Sequence, residues 1–292
     1  MKWFDYAAPD NLSEATLLLS SRPLARALAG GTDLLVQMRG GRLSPDLVVD
    51  LKHIPELNDL RVEADGGLTL GAAVPCYRIY NDAEVSRRFP ALAEVASLIG
   101  GMQIQGRASI GGNLCNSSPS ADSIPLLIAL GATCRIAGPG GSRHLAVEDF
   151  CTAPGRNALQ PGELLVSLHL PAPGPGSGAR YLRFIPRNEM DIAVAGAGVS
   201  VVVEKGVLQS VRIALAAVAP TPLFVRDAGA ALAGQPAGED AFRSAAALAR
   251  DAAQPISDMR GTADYRRHLC GVLTRRALEV AVQRAMENGH HA

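Results

Sequence analysis

The stretch Ser109-Ile110-Gly111-Gly112-Asn113-Leu114-Cys115-Asn116-Ser117-Ser118-Pro119-Ser120-Ala121-Asp122 lies in a region, Gly100 to Pro125, rich in Gly, Ser, Asn and Pro and without a sustained hydrophobic period. It reads as a long loop region, and long loops in a well-patterned chain tend to carry function. Its Gly-Gly pair has a counterpart upstream in Ala29-Gly30-Gly31-Thr32-Asp33. Paired glycines turn with φ > 0 and, lacking Cβ atoms, let a run of N–H groups close on an anion such as a pyrophosphate. In the first loop, a helix starting near Leu34 adds the positive end of its dipole. One Gly-Gly pair alone is a plain turn more often than a site. Two, each preceded by an apolar segment and flanked by hydroxyl or amide side chains, shift the reading toward a ligand. Neither fits G-x-G-x-x-G or G-x-x-x-x-G-K-[ST], which argues against a Rossmann dehydrogenase and a P-loop NTPase.

Outward from this region, Ala91 to Ile99 has helical spacing after Pro90, where a missing N–H costs little. Leu126 to Leu130, Thr133 to Ile136 and Leu164 to Leu170 resume helix and strand patterns. Around the first glycine pair the chain reads as strand (Arg26 to Ala29), turn, helix (Leu34 to Arg39) and buried strand (Leu47 to Leu51), a small α/β unit. A hairpin of Leu60 to Ala64 and Leu68 to Ala72 turns through Asp65-Gly66-Gly67. The run Pro171-Ala172-Pro173-Gly174-Pro175-Gly176-Ser177-Gly178 is the clearest boundary. Strands are expected beyond it over Tyr181 to Ile185, Ile192 to Val203 and Val207 to Val218, with a turn at Glu204-Lys205-Gly206. Helices follow over Asp227 to Ala233, Asp240 to Ala252 and Ala263 to Glu287. In the last, Tyr265, Leu269, Val272, Leu273 and Val280 share a face, while Arg266, Arg275, Arg276 and Glu279 lie off it. Strands followed by helices make the third unit an α+β layer.

The 292 residues carry 28 basic and 28 acidic side chains, a balance with no electrostatic footprint for nucleic acid or an anionic membrane. No run reaches about 18 apolar residues, so no membrane span is expected. The opening Met1-Lys2-Trp3-Phe4-Asp5-Tyr6 has no apolar h-region, so a cytoplasmic protein is expected. Cys76, Cys115, Cys134, Cys151 and Cys270 form no C-x-x-C pair and suit neither a disulfide framework nor an iron–sulfur cluster. His53, His144, His169 and His268 lack metal-ligand spacing, so no metal is assigned.

Taken with Arg187-Asn188-Glu189-Met190-Asp191-Ile192-Ala193, the two glycine stretches closely resemble the FAD-binding medium subunit of molybdenum hydroxylases, the xanthine dehydrogenase and carbon monoxide dehydrogenase family. The resemblance runs from Phe4-Asp5-Tyr6 through Asp50-Leu51 to Ala263-Asp264-Tyr265-Arg266-Arg267. It implies a two-part FAD-binding domain of the vanillyl-alcohol-oxidase/PCMH type, residues 1–56 and 57–176, then a C-terminal antiparallel sheet with helices over 177–292. It further implies contacts to the FAD pyrophosphate from Ala29, Gly30, Gly31, Thr32, Asp33 and Leu34, and from Ser109, Ile110, Gly111 and Gly112. Asn113 is implied to hydrogen-bond near the phosphates, Asp122 to take an adenosine ribose hydroxyl, and Ile99 to lie against the adenine. Leu165 and Arg183 match positions beside the isoalloxazine, where a constant positive charge favours anionic reduced flavin. Read from the residues alone, Asp122 is also a candidate N-cap and Arg183 a surface arginine on a strand.

By the same resemblance the chain is an electron-transfer subunit. Molybdopterin in a large subunit and two 2Fe-2S clusters in a small one feed its FAD, which passes electrons to NAD+, oxygen or a quinone, in a dimer of heterotrimers. No catalytic acid, base or nucleophile is expected, because flavin chemistry belongs to the cofactor. With no histidine in either glycine loop, the flavin is expected to be non-covalent. Cys115 reads as a small packing residue rather than a redox group. A self-contained FAD-dependent oxidoreductase of the same wider fold lacks a convincing substrate-site acid here, and a flavin-free docking subunit has no need of both loops.

Overall fold

The computed structural model describes residues 1–289. The N-terminal unit holds β1 (Asp5–Ala7), α1 (Leu12–Ser21), β2 (Arg26–Leu28), α2 (Leu34–Arg39) and β3 (Leu47–Asp50). Its three strands are parallel in the order β1-β3-β2. β3, the central strand, is buried throughout, as a parallel strand covered on both faces must be. Helix α1 starts where the Asn11 side chain accepts from the Glu14 amide at 2.9 Å.

The next unit runs through β4 (Leu60–Val62), β5 (Leu68–Gly71), α3 (Cys76–Asn81), α4 (Ala83–Arg88) and α5 (Pro90–Ala96). It continues with α6 (Met102–Gln105), α7 (Ile110–Asn116), α8 (Ser123–Ala129), β6 (Thr133–Gly138) and β7 (Gly141–Ala146). The short pair β8 (Cys151–Ala153) and β9 (Arg156–Asn157) precedes β10 (Leu164–Leu170). Five strands pair antiparallel in the order β4-β5-β10-β6-β7, so the late strand β10 fills the centre. At the β4–β5 hairpin Gly66 has φ +89°, a turn only glycine enters without strain.

The third unit is an antiparallel meander, β11 (Ser177–Phe184), β12 (Ala195–Glu204), β13 (Val207–Ala216) and β14 (Leu223–Phe224), followed by α9 (Arg226–Leu232), α10 (Glu239–Ala252) and α11 (Ala263–Gly289). The helices pack their apolar side, including Phe242, Leu273, Leu278 and Val282, onto the sheet's Val199, Ile213 and Leu215. No described helix is long and apolar enough to cross a membrane.

This unit is fastened to the middle one by side chains as well as by backbone contact. Glu148 accepts from both Arg212 and Arg226, whose guanidiniums lie over the Phe224 ring at 4.3 and 4.5 Å. Glu94 on α5 accepts from Arg180 at 2.6 Å and also pairs with Arg284. Between them β12 lies so close to α8 that a Cβ on Gly198 would sit 2.7 Å from the Pro125 carbonyl carbon.

Two expectations are corrected. Residues 100–125 are not one long loop: α6, α7 and the start of α8 lie within them. These helices are only four to seven residues long, too short to display a 3.6-residue period. On α11, Arg266 is buried rather than off the packed face, while Tyr265 is exposed. Arg266 is drawn in because it donates to the Val194 carbonyl at 2.8 Å, the Ala217 carbonyl at 3.2 Å and Asp258 at 2.7 Å.

The close approach at Gly198 gives a test of how the third unit docks. Gly198→Val is expected to cost about 1–3 kcal/mol through overpacking and to lower Tm by several degrees in calorimetry, whereas Gly140→Ala, with open space around it, leaves Tm near the parent value.

Candidate functional site

The first glycine loop leaves β2 at the carboxyl end of the parallel sheet, the edge where open α/β sheets receive ligands. The expectation that both glycine pairs turn with φ > 0 holds only for Gly31, at φ +78°. Gly30 and Gly111 allow close approach instead. A Cβ on Gly30 would lie 1.9 Å from the Arg107 carbonyl oxygen, and one on Gly111 would lie 2.4 Å from the Ala72 oxygen. The first loop therefore rests directly on the segment that leads into the second.

The amides between them are free. Among the described residues, none of the N–H groups of Gly30, Gly31, Thr32 and Asp33 donates a hydrogen bond within the chain. In the second loop Ser109 caps α7, its hydroxyl accepting from the Gly112 amide at 3.0 Å and its carbonyl from Asn113 at 2.9 Å. Ser109 bridges antiparallel to Pro75, which turns the Ile110 amide toward the Val74 carbonyl, while the Gly111 amide has no acceptor among the described residues. Unpaired donors from two adjoining loops on fixed backbone fit a pyrophosphate, whose oxygens are acceptors only. Since α2 and α7 span only six and seven residues, their dipoles add little beyond these N–H groups.

At the same sheet edge Asp50 ends β3, buried, and binds two residues. It accepts from Lys52 Nζ at 2.6 Å with each oxygen, and from the Tyr6 hydroxyl at 2.6 Å. Burial pushes its carboxyl up, but the hydrogen bonds from Lys52 and Tyr6 outweigh burial and hold it below the usual carboxylate range.

Asp122 faces the third unit. Its Oδ1 accepts from the Tyr181 hydroxyl at 2.9 Å and its Oδ2 from Arg183 Nη1, with the side chains of Arg183 and Asp122 only 9% and 12% exposed. Burial pushes the Asp122 carboxyl up, opposed by the Arg183 charge and the bonds from both partners. Both bland readings fail here. Asp122 occupies the N-cap position of α8 but makes no capping bond, and Arg183 is enclosed rather than on the surface. Tyr181 was not singled out from sequence; its place two residues before Arg183, on the same face of a strand, was the available signal.

The remaining candidates divide between cleft and core. Asn113 accepts at Oδ1 from the Ser123 hydroxyl at 2.6 Å, and its amide nitrogen has no partner among the described residues. Ala29 and Leu34 flank the first loop and are half-buried. Ile99 and Leu165 belong to the apolar core of the middle unit, with 9% and 3% of their surface exposed. Cys115 is half-buried, and burial pushes its thiol up to about 12, a packing cysteine rather than a nucleophile. A cleft of about 510 Å³ opens beside β11, lined by Leu98, Arg180, Tyr181, Arg183, Ile185 and Arg187. Its far wall, residues 186–191, leans on α6, where Gln103 Nε2 lies 3.2 Å from Met190 Sδ.

Residues 2–173 match the model of the FAD binding domain in molybdopterin dehydrogenase, and residues 180–281 that of the CO dehydrogenase flavoprotein C-terminal domain. The chain belongs to the FAD-binding medium subunits of the molybdenum hydroxylases. It is 35% identical to the carbon monoxide dehydrogenase medium chain of Afipia carboxidovorans, over 97% of this chain and 98% of that one. It is 31% identical to the xanthine dehydrogenase FAD-binding subunit of Escherichia coli O157:H7, over 97% and 98%. Its fold superposes with a TM-score of 0.93 on a chain of the Hydrogenophaga pseudoflava carbon monoxide dehydrogenase lacking the Mo-pyranopterin moiety, at 34% identity over 97% and 98%. With a chain of quinoline 2-oxidoreductase from Pseudomonas putida 86 the TM-score is 0.90, at 31% identity over 98% and 100%. The chain is therefore an oxidoreductase subunit of this family.

Two tests follow from the ionised groups around the site. Because the Asp50 carboxyl is depressed in the folded state, its contribution is present above the unfolded value of about 3.8 and lost as pH falls through the folded one. Urea titrations from pH 7 to 2.5 are expected to show Asp50→Asn less stable at pH 7, with a shallower decline below pH ~4. Arg183→Met leaves Asp122 buried without its counter-charge and is expected to cost about 3–5 kcal/mol, measured by the same titration at pH 7.

Proposed function

We propose that this chain holds FAD non-covalently between its two glycine loops and works as the electron-transfer subunit of a heteromeric molybdenum hydroxylase. In this reading a small partner carries 2Fe-2S clusters, a large partner carries molybdopterin, and the assembly is a dimer of heterotrimers in the cytoplasm. The flavin, when bound, supplies two-electron storage and release toward NAD+, oxygen or a quinone. The observation that carries the proposal is the set of unpaired amides at residues 30–33 together with that of Gly111, on two loops joined by the Gly30 contact with Arg107.

Each part of the chain then has a defined task. Residues 1–56 and 57–176 form the two walls of the FAD site, and residues 177–292 brace it. Ala29 to Leu34 and Ser109 to Gly112 present backbone donors to the pyrophosphate, and Asn113 offers its free amide beside them. Asp122, whose oxygens retain lone pairs beyond the bonds to Tyr181 and Arg183, takes a ribose hydroxyl. Ile99 and Leu165 back the adenine and isoalloxazine ends, and Arg183, ion-paired with Asp122, stands at the same end of the cofactor as that carboxylate and not beside the isoalloxazine. No general acid or base is required of the chain. The relatives act on carbon monoxide, xanthine and quinoline by name while sharing this fold, which supports placing substrate choice in another subunit.

The reading is tested on the purified chain with its co-purifying partners. Flavin released by acid, with iron and molybdenum in two further chains, is the expected composition. A yellow protein lacking both metals supports a self-contained oxidoreductase instead, and a colourless one overturns the FAD assignment. Gly31→Val, which forces a β-branched residue to φ +78°, is expected to lose most of the bound flavin while far-UV circular dichroism stays close to the parent.

A further inference from the structure

We propose that Arg107 is the side-chain cation for the FAD pyrophosphate, a role that rests on the FAD reading above and adds a charged ligand to the backbone cradles. Arg107 is the residue the two loops share. Its carbonyl oxygen occupies the space a Gly30 side chain would need, and it lies two residues before Ser109. Its backbone is held on both sides, with the Arg107 amide donating to the Ile104 carbonyl at 2.9 Å and the Ala108 carbonyl accepting from Cys76 at 2.8 Å. The guanidinium is exposed, reaches back over the first loop with Nε 3.4 Å from the Gly30 oxygen, and has no carboxylate within 4.0 Å among the described residues.

That last point separates Arg107 from its charged neighbours. Lys52 is spent on Asp50, Arg183 on Asp122, Arg180 on Glu94 and Arg187 on Asp191. The backbone N–H groups bring only partial charges to a ligand bearing two full negative ones, so one uncompensated cation beside them completes the match. Arginine suits the place because its planar fork spans two phosphate oxygens. Its free side chain on a rigid backbone lets it swing from the Gly30 carbonyl to the ligand without disturbing either loop.

The test uses the full-length chain freed of flavin and titrated with FAD and with riboflavin, which has no phosphate, at low and high potassium chloride. The parent is expected to bind FAD more weakly as salt rises, and Arg107→Met to bind FAD about 10- to 100-fold more weakly with a flattened salt response. Riboflavin affinity is expected to be equal in both, and Arg107→Lys to recover part of the loss. The ³¹P resonances of bound FAD are expected to move between parent and Arg107→Met. Parent-like FAD affinity in Arg107→Met, or equal loss of FAD and riboflavin, overturns the role of Arg107 and leaves the FAD site standing. A parent that binds no FAD at any salt overturns both readings together.

Discussion

The backbone of Gly30 lies against the carbonyl of Arg107 with no room for a side-chain carbon, and the architecture of the site depends on that contact. It joins the loop that follows β2 of the parallel sheet to the connection between helices α6 and α7 of the middle unit. Each loop separately is an ordinary connection with a few unpaired amides. Pressed together they present their donors side by side, and they stay in register because backbone meets backbone. The same device recurs nearby, where Gly111 lies on Ala72 and Gly71 on the Leu57 carbonyl. Close approach, more than left-handed turning, is what these glycines contribute.

Around this joint the third unit acts as a brace, and it does so through arginine. Glu94, Asp122 and Glu148 lie in the middle unit, and each takes donors from two residues of the third: Arg180 and Arg284, Tyr181 and Arg183, Arg212 and Arg226. Such pairing suits a guanidinium, which offers several donors in a fixed plane and also stacks on a ring, as two of them do on Phe224. Beneath these, Arg266 ties the carbonyls of Val194 and Ala217 together. Ala217 in turn donates its amide to the Pro119 carbonyl, at 2.7 Å, three residues before Asp122. The helix at the chain's end thereby holds both sides of the Asp122–Arg183 pair.

Sequence patterning located the regular elements where they are long or two-faced. The strands over Leu47 to Asp50 and Leu164 to Leu170 fall where the pattern puts them, because each is an apolar run buried along nearly its whole length. It missed α1, where polar residues dilute the pattern, and α3, α4, α6 and α7, which are too short to show one. The glycine loops were legible as stretches of exposed backbone donors, since donors on a glycine backbone are a local property. That the two touch was not, because Gly30 and Arg107 are 77 residues apart. Nor was the fate of Asp122 and Arg183: each looked like a free functional group, and only the fold shows that they face one another.

That pairing redistributes charge in the site. From sequence, Arg183 offers a permanent positive field to one end of a flavin. In the structure its field is cancelled at short range by Asp122, while Lys52 is cancelled by Asp50 at the sheet edge beside the first glycine loop. Both pairs are close enough to behave as dipoles, whose influence falls off faster with distance than that of a lone charge. An uncompensated positive charge then sits beside the first glycine loop, on Arg107. In the proposed FAD reading, a subunit built this way grips the cofactor by its least reactive part. It leaves the potential of the reactive ring to hydrogen bonds and to partner chains, which suits a carrier that must both accept and release electrons.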